Sequence, residues 1–301
     1  MDDTELASWV VLHSLPGMGP VTMRRLLDRF GSARGVLEAG QGNAILESPG
    51  VTTALAEAIR RAAASVAHAA RRVEDLHRCG VRIVRIVDPA YPPALRDLRN
   101  PPPLLYIYGD IGDRDARAVG IVGTTDPSPR GRAIAEEFGA RFAAAGVTVV
   151  SGYAHGIDAA AHRGAFRGGG RSVLCLPHGL RRFRARPDFP PLAEIGKRGA
   201  LLSECPPDAL WSRAAAIARN RIIAALGRAL LVIETQPHGG AFHTVSAAES
   251  LGRPIFAVRF REPPESARGN AMLIARGATP LCAFAEINEV LRVVDAPARS
   301  D

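Results

Sequence analysis

The sequences VGIVG at residues 119–123 and VTVVSG at residues 147–152 decide the predicted fold. Both are short runs of aliphatic and β-branched residues, which are typical of strands that are buried on both faces of a sheet. Between them, Ile134, Phe138 and Phe142 recur every four residues, as on one face of an amphipathic helix. The segment therefore predicts a strand, a helix and a second strand parallel to the first.

The same alternation continues along the chain. Four further apolar runs have the length of buried strands: SVLCLP (172–177), ALLSE (200–204), ALLVIE (229–234) and PIFAV (254–258). Strands that alternate with helices through short connections form a parallel, doubly wound α/β sheet, and such sheets bind ligands at the carboxyl ends of their strands. The loops after Gly123, Ser151, Pro177, Glu204 and Glu234 are therefore the predicted places for a functional site.

The N-terminal part of the chain has a different pattern. Residues 1–75 are predicted to form a small all-helical domain, and residues 76–295 an extended sheet domain that adds strands near 81–87 and 104–109. The segment LPGMGPVTMRRLLDRFGS (15–32) resembles a helix–hairpin–helix, or SAM-like, turn, whose backbone N–H groups can hold a phosphate. A helical domain that packs or oligomerises without touching nucleic acid would have the same pattern.

Composition limits the class of protein. The chain has 301 residues, 47% apolar and 23% charged, with a formal net charge of +8, and Lys197 is its single lysine. Such a bias towards arginine can reflect codon composition, but arginine also matches phosphate oxygens bidentately and so favours a polyanionic partner. The sequence contains no long apolar run, basic signal-peptide start or CxxC pair, so we expect a cytoplasmic protein without a membrane span, zinc site or disulfide framework.

The first candidate loop follows the strand at 119–123. Gly123, Thr124 and Thr125 end a predicted strand just before a predicted helix, where N–H groups and the helix dipole favour an anion. The sequence is not GxGxxG, and no acidic residue on a following strand marks a ribose, so dinucleotide binding is weakly supported.

The second candidate loop is SGYAHGID at residues 151–158. Gly152 and Gly156 lie four residues apart, which lets the backbone curl around a phosphate. Asp158 is expected to cap the following helix or to orient the loop by accepting its N–H groups. A tight strand-to-helix turn that binds nothing would also use these glycines.

Two more elements supply candidate residues. Arg219 and Arg221 bracket Asn220 at the predicted start of a helix, which would bring both cations to one sheet edge, although a solvated charge pair has the same sequence. After the strand at 229–234, the candidates are Gly239, Gly240 and Thr244. Further positive charge is expected from Arg181, Arg182, Arg184 and Arg186, and stacking rings from Tyr153 and Phe183.

Taken together, these motifs resemble the DNA-processing protein A (DprA, or Smf) family. The resemblance runs from about Tyr91 to Gly277 and rests on several motifs in the family's order. They are YPPALRDLRNPPPLLYIYG (91–109), VTVVSGYAHGIDAAAHRGA (147–165), ALLSECPP (200–207), ARNRIIAALGRALLVIE (218–234), GGAFHT (239–244), SLGRPIFAV (250–258) and GNAMLIARGA (269–278).

The resemblance implies a Rossmann-like, non-enzymatic protein without cofactor or metal. Such a protein binds single-stranded DNA, forms homodimers and loads the RecA recombinase onto incoming strands in natural transformation and homologous recombination. Carried over by position, its DNA site comprises Gly123, Thr124, Thr125, Ser151, Gly152, His155, Gly156, Asp158, Arg219, Asn220, Arg221, Gly239, Gly240 and Thr244.

The chain also departs from the family's pattern. Thr125 and His155 stand where members usually have arginine, Gly239 where they have serine, and Ala225 where they have glycine; no segment after Val294 is long enough for the winged-helix domain of some members. Each missing arginine removes a charge-assisted contact, and a histidine at 155 is expected to make binding tighter at pH 6 than at pH 8.

Two other functions stay open from the sequence. Histidines near the loops, and Glu204 and Glu234 as possible bases, are compatible with a nucleotide-processing or nucleotide-sensing enzyme, although the PGGxGT-type loop of related phosphoribohydrolases is missing. A family member that keeps protein contacts and hardly binds DNA is the other alternative.

Overall fold

A computed structural model describes residues 3–296, and its centre is a nine-stranded sheet. The strands are β1 (Val81–Arg85), β2 (Leu104–Gly109), β3 (Ala118–Val122), β4 (Thr148–Ser151), β5 (Ser172–Leu176), β6 (Gly199–Ser203), β7 (Ala229–Val232), β8 (Ile255–Val258) and β9 (Thr279–Leu281). All six apolar runs that predicted the parallel sheet form strands within about two residues of the expected bounds.

The strand order is β1-β2-β6-β5-β4-β3-β7-β8-β9. The seven strands from β3 to β9 are parallel, whereas β2 pairs antiparallel with both β1 and β6. From β3 the chain first proceeds outward through β4, β5 and β6 and then returns to the other side for β7, β8 and β9. The mainly parallel, doubly wound fold is thus confirmed, with its switch point between β3 and β7.

Helices cover both faces of the sheet. They are α1 (Asp3–His13), α2 (Pro20–Phe30), α3 (Ala33–Ala39), α4 (Thr53–Ala62), α5 (Val66–Arg78), α6 (Pro129–Ala144), α7 (Ile157–Arg167), α8 (Leu192–Lys197), α9 (Arg213–Leu226), α10 (Ala241–Ser250), α11 (Arg268–Ala275) and α12 (Ile287–Asp295). Helices α6, α7 and α12 pack on one face of the parallel strands, and α9, α10 and α11 on the other.

The N-terminal helices α1 to α5 share a hydrophobic core with the β1–β2–β6 end of the sheet. Leu12 and Met23 belong to the same buried cluster as Tyr106 and Leu201. The ion pair of Arg72 with Asp208 also joins α5 to the loop after β6. The division at residues 75 and 76 stays a prediction, since the two parts bury their apolar surface together. Within residues 3–296, none of the helices combines the length and hydropathy that crossing a bilayer requires.

Candidate nucleic-acid interface

The loops that were predicted from separate stretches of sequence meet at the carboxyl edge of the sheet. The N–H of Thr124, after β3, donates to the carbonyl of Glu234, after β7, at 2.7 Å. The carbonyl of Thr124 in turn accepts from the N–H of Ile157, at the start of α7, at 3.2 Å. A side chain at Gly123 would place its Cβ 2.5 Å from Ile157, so this close contact requires glycine.

Residues 151–156, which we call the β4 loop, lie on a buried guanidinium. Arg219 is 5% exposed, and its Nη1 donates to the carbonyl of Cys175 at the end of β5. A Cβ at Gly152 would lie 2.0 Å from Nη1 and 2.4 Å from Cζ of Arg219. The β4 loop therefore needs glycine at position 152 because the guanidinium fills the space beneath it.

Asp158 balances the charge of Arg219. Its Oδ2 accepts from the N–H of Ala154 at 3.3 Å, so the carboxylate orients the β4 loop from within the first turn of α7. Burial raises the pKa of the Asp158 carboxyl, while Arg219 acts in the opposite direction. Burial likewise lowers the pKa of Arg219, and Asp158 counteracts that shift. Of the two predicted roles for Asp158, orienting the loop is the one the structure shows, since Gly156 occupies the N-cap.

A second guanidinium holds the β4 loop from outside. Nη2 of Arg186 donates to the carbonyl of Tyr153 at 2.7 Å, and Nη1 donates to that of Ala154 at 3.2 Å. The same guanidinium lies 4.3 Å from the centroid of the Tyr153 ring. Tyr153 has a left-handed backbone, with φ of 58°, which these contacts stabilise. The β4 loop is thus fixed between Arg186 and Arg219, and His155 is its exposed residue.

Tyr153 and Phe183, the rings predicted to stack on bases, pack against each other and against other rings of the protein. Phe183 is buried, with its ring centroid 5.1 Å from that of Tyr153. Phe189 meets Tyr153 edge-on at 5.0 Å. The expectation that Phe183 offers an exposed face is wrong, because its ring supports the β4 loop from the apolar side.

The predicted placement of Arg219, Asn220 and Arg221 at the start of a helix is wrong. Helix α9 begins earlier, at Arg213, where the Ser212 hydroxyl caps it by accepting from the N–H of Ala215 at 3.1 Å. The three residues lie within the helix and so point to different sides, about 100° apart for each residue.

The two arginines consequently have different surroundings. Arg221 makes a bidentate ion pair with Glu204, with Nη1–Oε1 and Nη2–Oε2 distances of 2.5 and 2.7 Å. Asn220 reaches the turn before α10, and its Nδ2 donates to the carbonyl of Gly240 at 3.4 Å. Thus Asn220 approaches the edge loops, Arg219 supports one of them, and Arg221 is engaged elsewhere.

The turn before α10 brings only some of its candidates to the surface. Gly240 is exposed and has open space around it, whereas Thr244 is buried within α10. His238, just before the glycines, has a left-handed backbone with φ of 58°. In the loop after β3, Thr125 is exposed. The exposed candidates at this edge, which we call the rim, are therefore Thr125, His155 and Gly240, whereas Thr244 contributes by packing.

The switch point holds an internal anion that the sequence analysis missed. The buried carboxylate of Glu234 accepts from the N–H of Ser128 at 2.8 Å, from its hydroxyl at 2.7 Å and from the Ser266 hydroxyl at 2.5 Å. Ser128 is the N-cap of α6, and a Cβ at Gly131 would lie 1.9 Å from Oε2 of Glu234. The carboxylate therefore occupies the anion position at the N-terminus of α6. Two features of the sequence could have predicted this contact: a glutamate at the end of a predicted strand, and the pattern Ser-Pro-x-Gly (128–131) at the start of a predicted helix.

Exposed cations surround these loops. Among residues 3–296, no ion pair involves the following exposed arginines: Arg130, Arg182, Arg184, Arg213, Arg259 and Arg261. Each follows a strand of the sheet or begins the helix after it. Sequence reasoning identified two of them, Arg182 and Arg184, because they form a local cluster; the others stand singly or in pairs.

Comparisons with known proteins show the family and the fold of this chain. The sequence matches the profile of the family described as DNA recombination-mediator protein A over residues 82–292. It is 32% identical over 282 residues to Protein Smf of Synechocystis sp., which covers 92% of this chain and 70% of that protein.

Two solved structures have the same fold. The X-ray structure of DNA processing protein A from Streptococcus pneumoniae superposes with a TM-score of 0.69 at 24% identity, covering 96% of this chain and 98% of the other. DNA processing protein A from Helicobacter pylori, whose structure was described for its single-stranded DNA binding mode, has a TM-score of 0.61 at 24% identity. That match covers 70% of this chain and 96% of the other.

Proposed function

This chain belongs to the DNA recombination-mediator protein A family, and on that premise we propose that it is a single-stranded DNA-binding protein and not an enzyme. It acts in the cytoplasm as a homodimer, protects incoming strands and loads the RecA recombinase onto them in natural transformation and homologous recombination. A description of single-stranded DNA binding for the Helicobacter pylori relative supports the choice of ligand.

The observation that carries the proposal is the β4 loop, which is fixed between Arg186 and Arg219. A loop that is already ordered loses little conformational entropy when it binds a phosphate. Exposed arginines on the same edge attract the polyanion over a distance, since charges at a surface interact through about 8–10 Å of salt solution. Backbone-phosphate contacts of this kind predict little sequence preference.

Two exposed positions modulate the affinity in this proposal. Thr125 and His155 stand where arginine is usual in the family, so the rim presents less fixed charge than a typical member has. The salt dependence of binding is correspondingly shallow, because each phosphate neutralised on a single strand contributes a slope of about −0.7.

The enzyme alternative gains no specific support from the two glutamates that were considered as bases. Glu234 is buried and accepts three hydrogen bonds at the switch point, and Glu204 is paired with Arg221. Both carboxylates are thus engaged by partners within the protein. We therefore favour binding over chemistry at this edge.

A titration with labelled oligonucleotides tests the proposal. Single- and double-stranded oligonucleotides of equal length are measured at two salt concentrations with the wild type and the His155→Arg variant. We expect preference for the single strand, and a salt slope that is steeper by about 0.7 in the variant because it gains one phosphate contact. No binding to either oligonucleotide, together with capture of the recombinase, would instead support a protein-binding member. Base release from nucleoside monophosphates would support the enzyme.

A further inference from the structure

Three large apolar side chains are exposed in the loop after β6 and in the first half of α9. Leu210 and Trp211 are 71% and 63% exposed, and Ile217 in the first half of α9 is 37% exposed. Trp211 is the larger of the two neighbouring side chains and is far more exposed than Trp9, which is 4% exposed in α1. Adjoining exposed apolar side chains, unlike single ones, point to a contact surface, and tryptophan is enriched in such surfaces.

Hydrogen bonds connect the segment before Trp211 to the candidate interface. The N–H of Gly179 donates to the carbonyl of Ala209 at 3.0 Å, and the N–H of Arg181 to that of Pro207 at 3.1 Å. The loop after β5 that contains these donors continues to Arg186, which holds the β4 loop. Trp211 therefore follows a segment that is hydrogen-bonded to the loop after β5, which in turn holds the β4 loop at the carboxyl edge.

The charges near Trp211 favour a polyanion over a neutral apolar partner. Nε of Arg182 donates to the carbonyl of Asp208 at 3.2 Å, and its side chain is exposed next to Arg184. Arg213 is exposed at the start of α9. The Asp208 carboxylate is paired with both Arg72 and Arg181, so it does not cancel the charge of Arg182.

We propose that Trp211 is a stacking platform for an unpaired base of the bound strand. The inference rests on the proposed function and adds to it a base-binding position next to the phosphate-binding loops. Base stacking on an aromatic ring tolerates any sequence because every base has a flat π-face. Leu210 extends the apolar surface beside the indole.

A strand without bases separates stacking from phosphate binding. A thymidine oligonucleotide and an abasic strand of the same length are titrated against the wild type, Trp211→Ala and Trp211→Phe. We expect the wild type to bind the thymidine strand about tenfold more tightly, since one stacked base contributes about that factor. Trp211→Ala should lose most of this preference while its affinity for the abasic strand is unchanged, and Trp211→Phe should keep much of it. Val87→Ala, which removes an apolar side chain of similar exposure outside this patch, is the matched control.

Fluorescence gives an independent measurement. In a Trp9→Phe background, Trp211 is the sole tryptophan, because the chain has two. Its emission should be quenched by the thymidine strand and much less by the abasic strand. The thermal unfolding midpoint confirms that each variant is folded.

The outcomes separate this proposal from the one on which it rests. If the wild type binds both strands equally and Trp211→Ala changes neither, the stacking role is wrong while DNA binding stands. If Trp211→Ala changes the oligomeric state and leaves base discrimination intact, the patch is a subunit contact, and the stacking role is again wrong. Failure of the wild type to bind either strand overturns both proposals.

Discussion

The switch point, at the start of α6, holds a buried carboxylate, whereas the neighbouring β4 loop, which leads into α7, lies on a buried guanidinium. At the start of α6, the Glu234 carboxylate accepts from the backbone and side chain of Ser128. At the start of α7, the Arg219 guanidinium lies beneath Gly152. A helix N-terminus favours an anion in both places. At α6 the Glu234 carboxylate takes this position, whereas at α7 the buried Asp158 carboxylate is accompanied by the Arg219 guanidinium. The topological switch point, where a doubly wound sheet usually binds its ligand, is therefore filled internally, and the adjacent loop is the better candidate.

The difference also explains a sequence feature. A dinucleotide needs a glycine-rich turn so that pyrophosphate can approach the helix N-terminus. Here the space at α6 is closed by Glu234, and Gly131 is required because a side chain there would meet that carboxylate. The chain lacks GxGxxG after β3, and the position at the start of α6 that a pyrophosphate would take is occupied by the Glu234 carboxylate.

The largest expected effect is at Arg219. Replacing it by alanine leaves Asp158 buried without its cation and opens a space beneath Gly152, so we expect a loss of about 3–5 kcal/mol in the free energy of unfolding. The β4 loop loses its support, and affinity for single-stranded DNA falls with it. Arg221→Ala breaks the pair with Glu204 and should cost about 1.5–3 kcal/mol with little change in DNA affinity. Urea unfolding and oligonucleotide titration measure both; equal affinity losses in the two variants would contradict the separate roles.

More of the fold than of the candidate site could be predicted from the sequence. Strands such as β5 were found because buried parallel strands are uninterrupted apolar runs, which are visible locally. The start of α9 was missed because we inferred a boundary at the change from Arg219-Asn220-Arg221 to an apolar run, whereas the alanines at 214–216 simply continue the helix. The burial of Arg219 depends on Cys175, Gly152 and Asp158, which come from three other elements, and no local pattern encodes their meeting.

An intermediate effect is expected at the switch point. Glu234→Gln replaces one acceptor oxygen by an NH₂ group, which faces hydrogen-bond donors from Ser128 and Ser266. We expect a loss of about 1–3 kcal/mol in the free energy of unfolding, because a buried donor is left without an acceptor. DNA affinity should stay close to that of the wild type, in contrast to Arg219→Ala. Ser266→Ala, which removes one donor without adding another, is the milder control; tighter DNA binding by Glu234→Gln would mean that the two sites are not independent.

The smallest effect concerns the pH dependence of stability beneath the β4 loop. His162 is buried, with Nδ1 2.7 Å from the Ser172 hydroxyl, and burial, together with Arg219 and Arg186, lowers its pKa to about 3. The unfolded chain takes up this proton near pH 6.5, whereas the folded protein does not, so His162 favours folding above that pH and loses its contribution as the pH falls towards 3. This histidine changes the free energy of unfolding by at most about 1.4 kcal/mol for each pH unit in that window.

The His162→Asn variant isolates this contribution. His13 titrates in the same direction, since burial lowers its pKa to about 4, so the wild type should still lose stability on acidification when His162 is replaced. Urea midpoints at pH 7, 6 and 5 should therefore fall less steeply in His162→Asn than in the wild type, and the exposed His155→Asn serves as the control. A variant as steep as the wild type would mean that His162 accepts its proton in the folded state. That result would mean that burial, together with Arg219 and Arg186, does not keep the His162 ring neutral beneath the β4 loop.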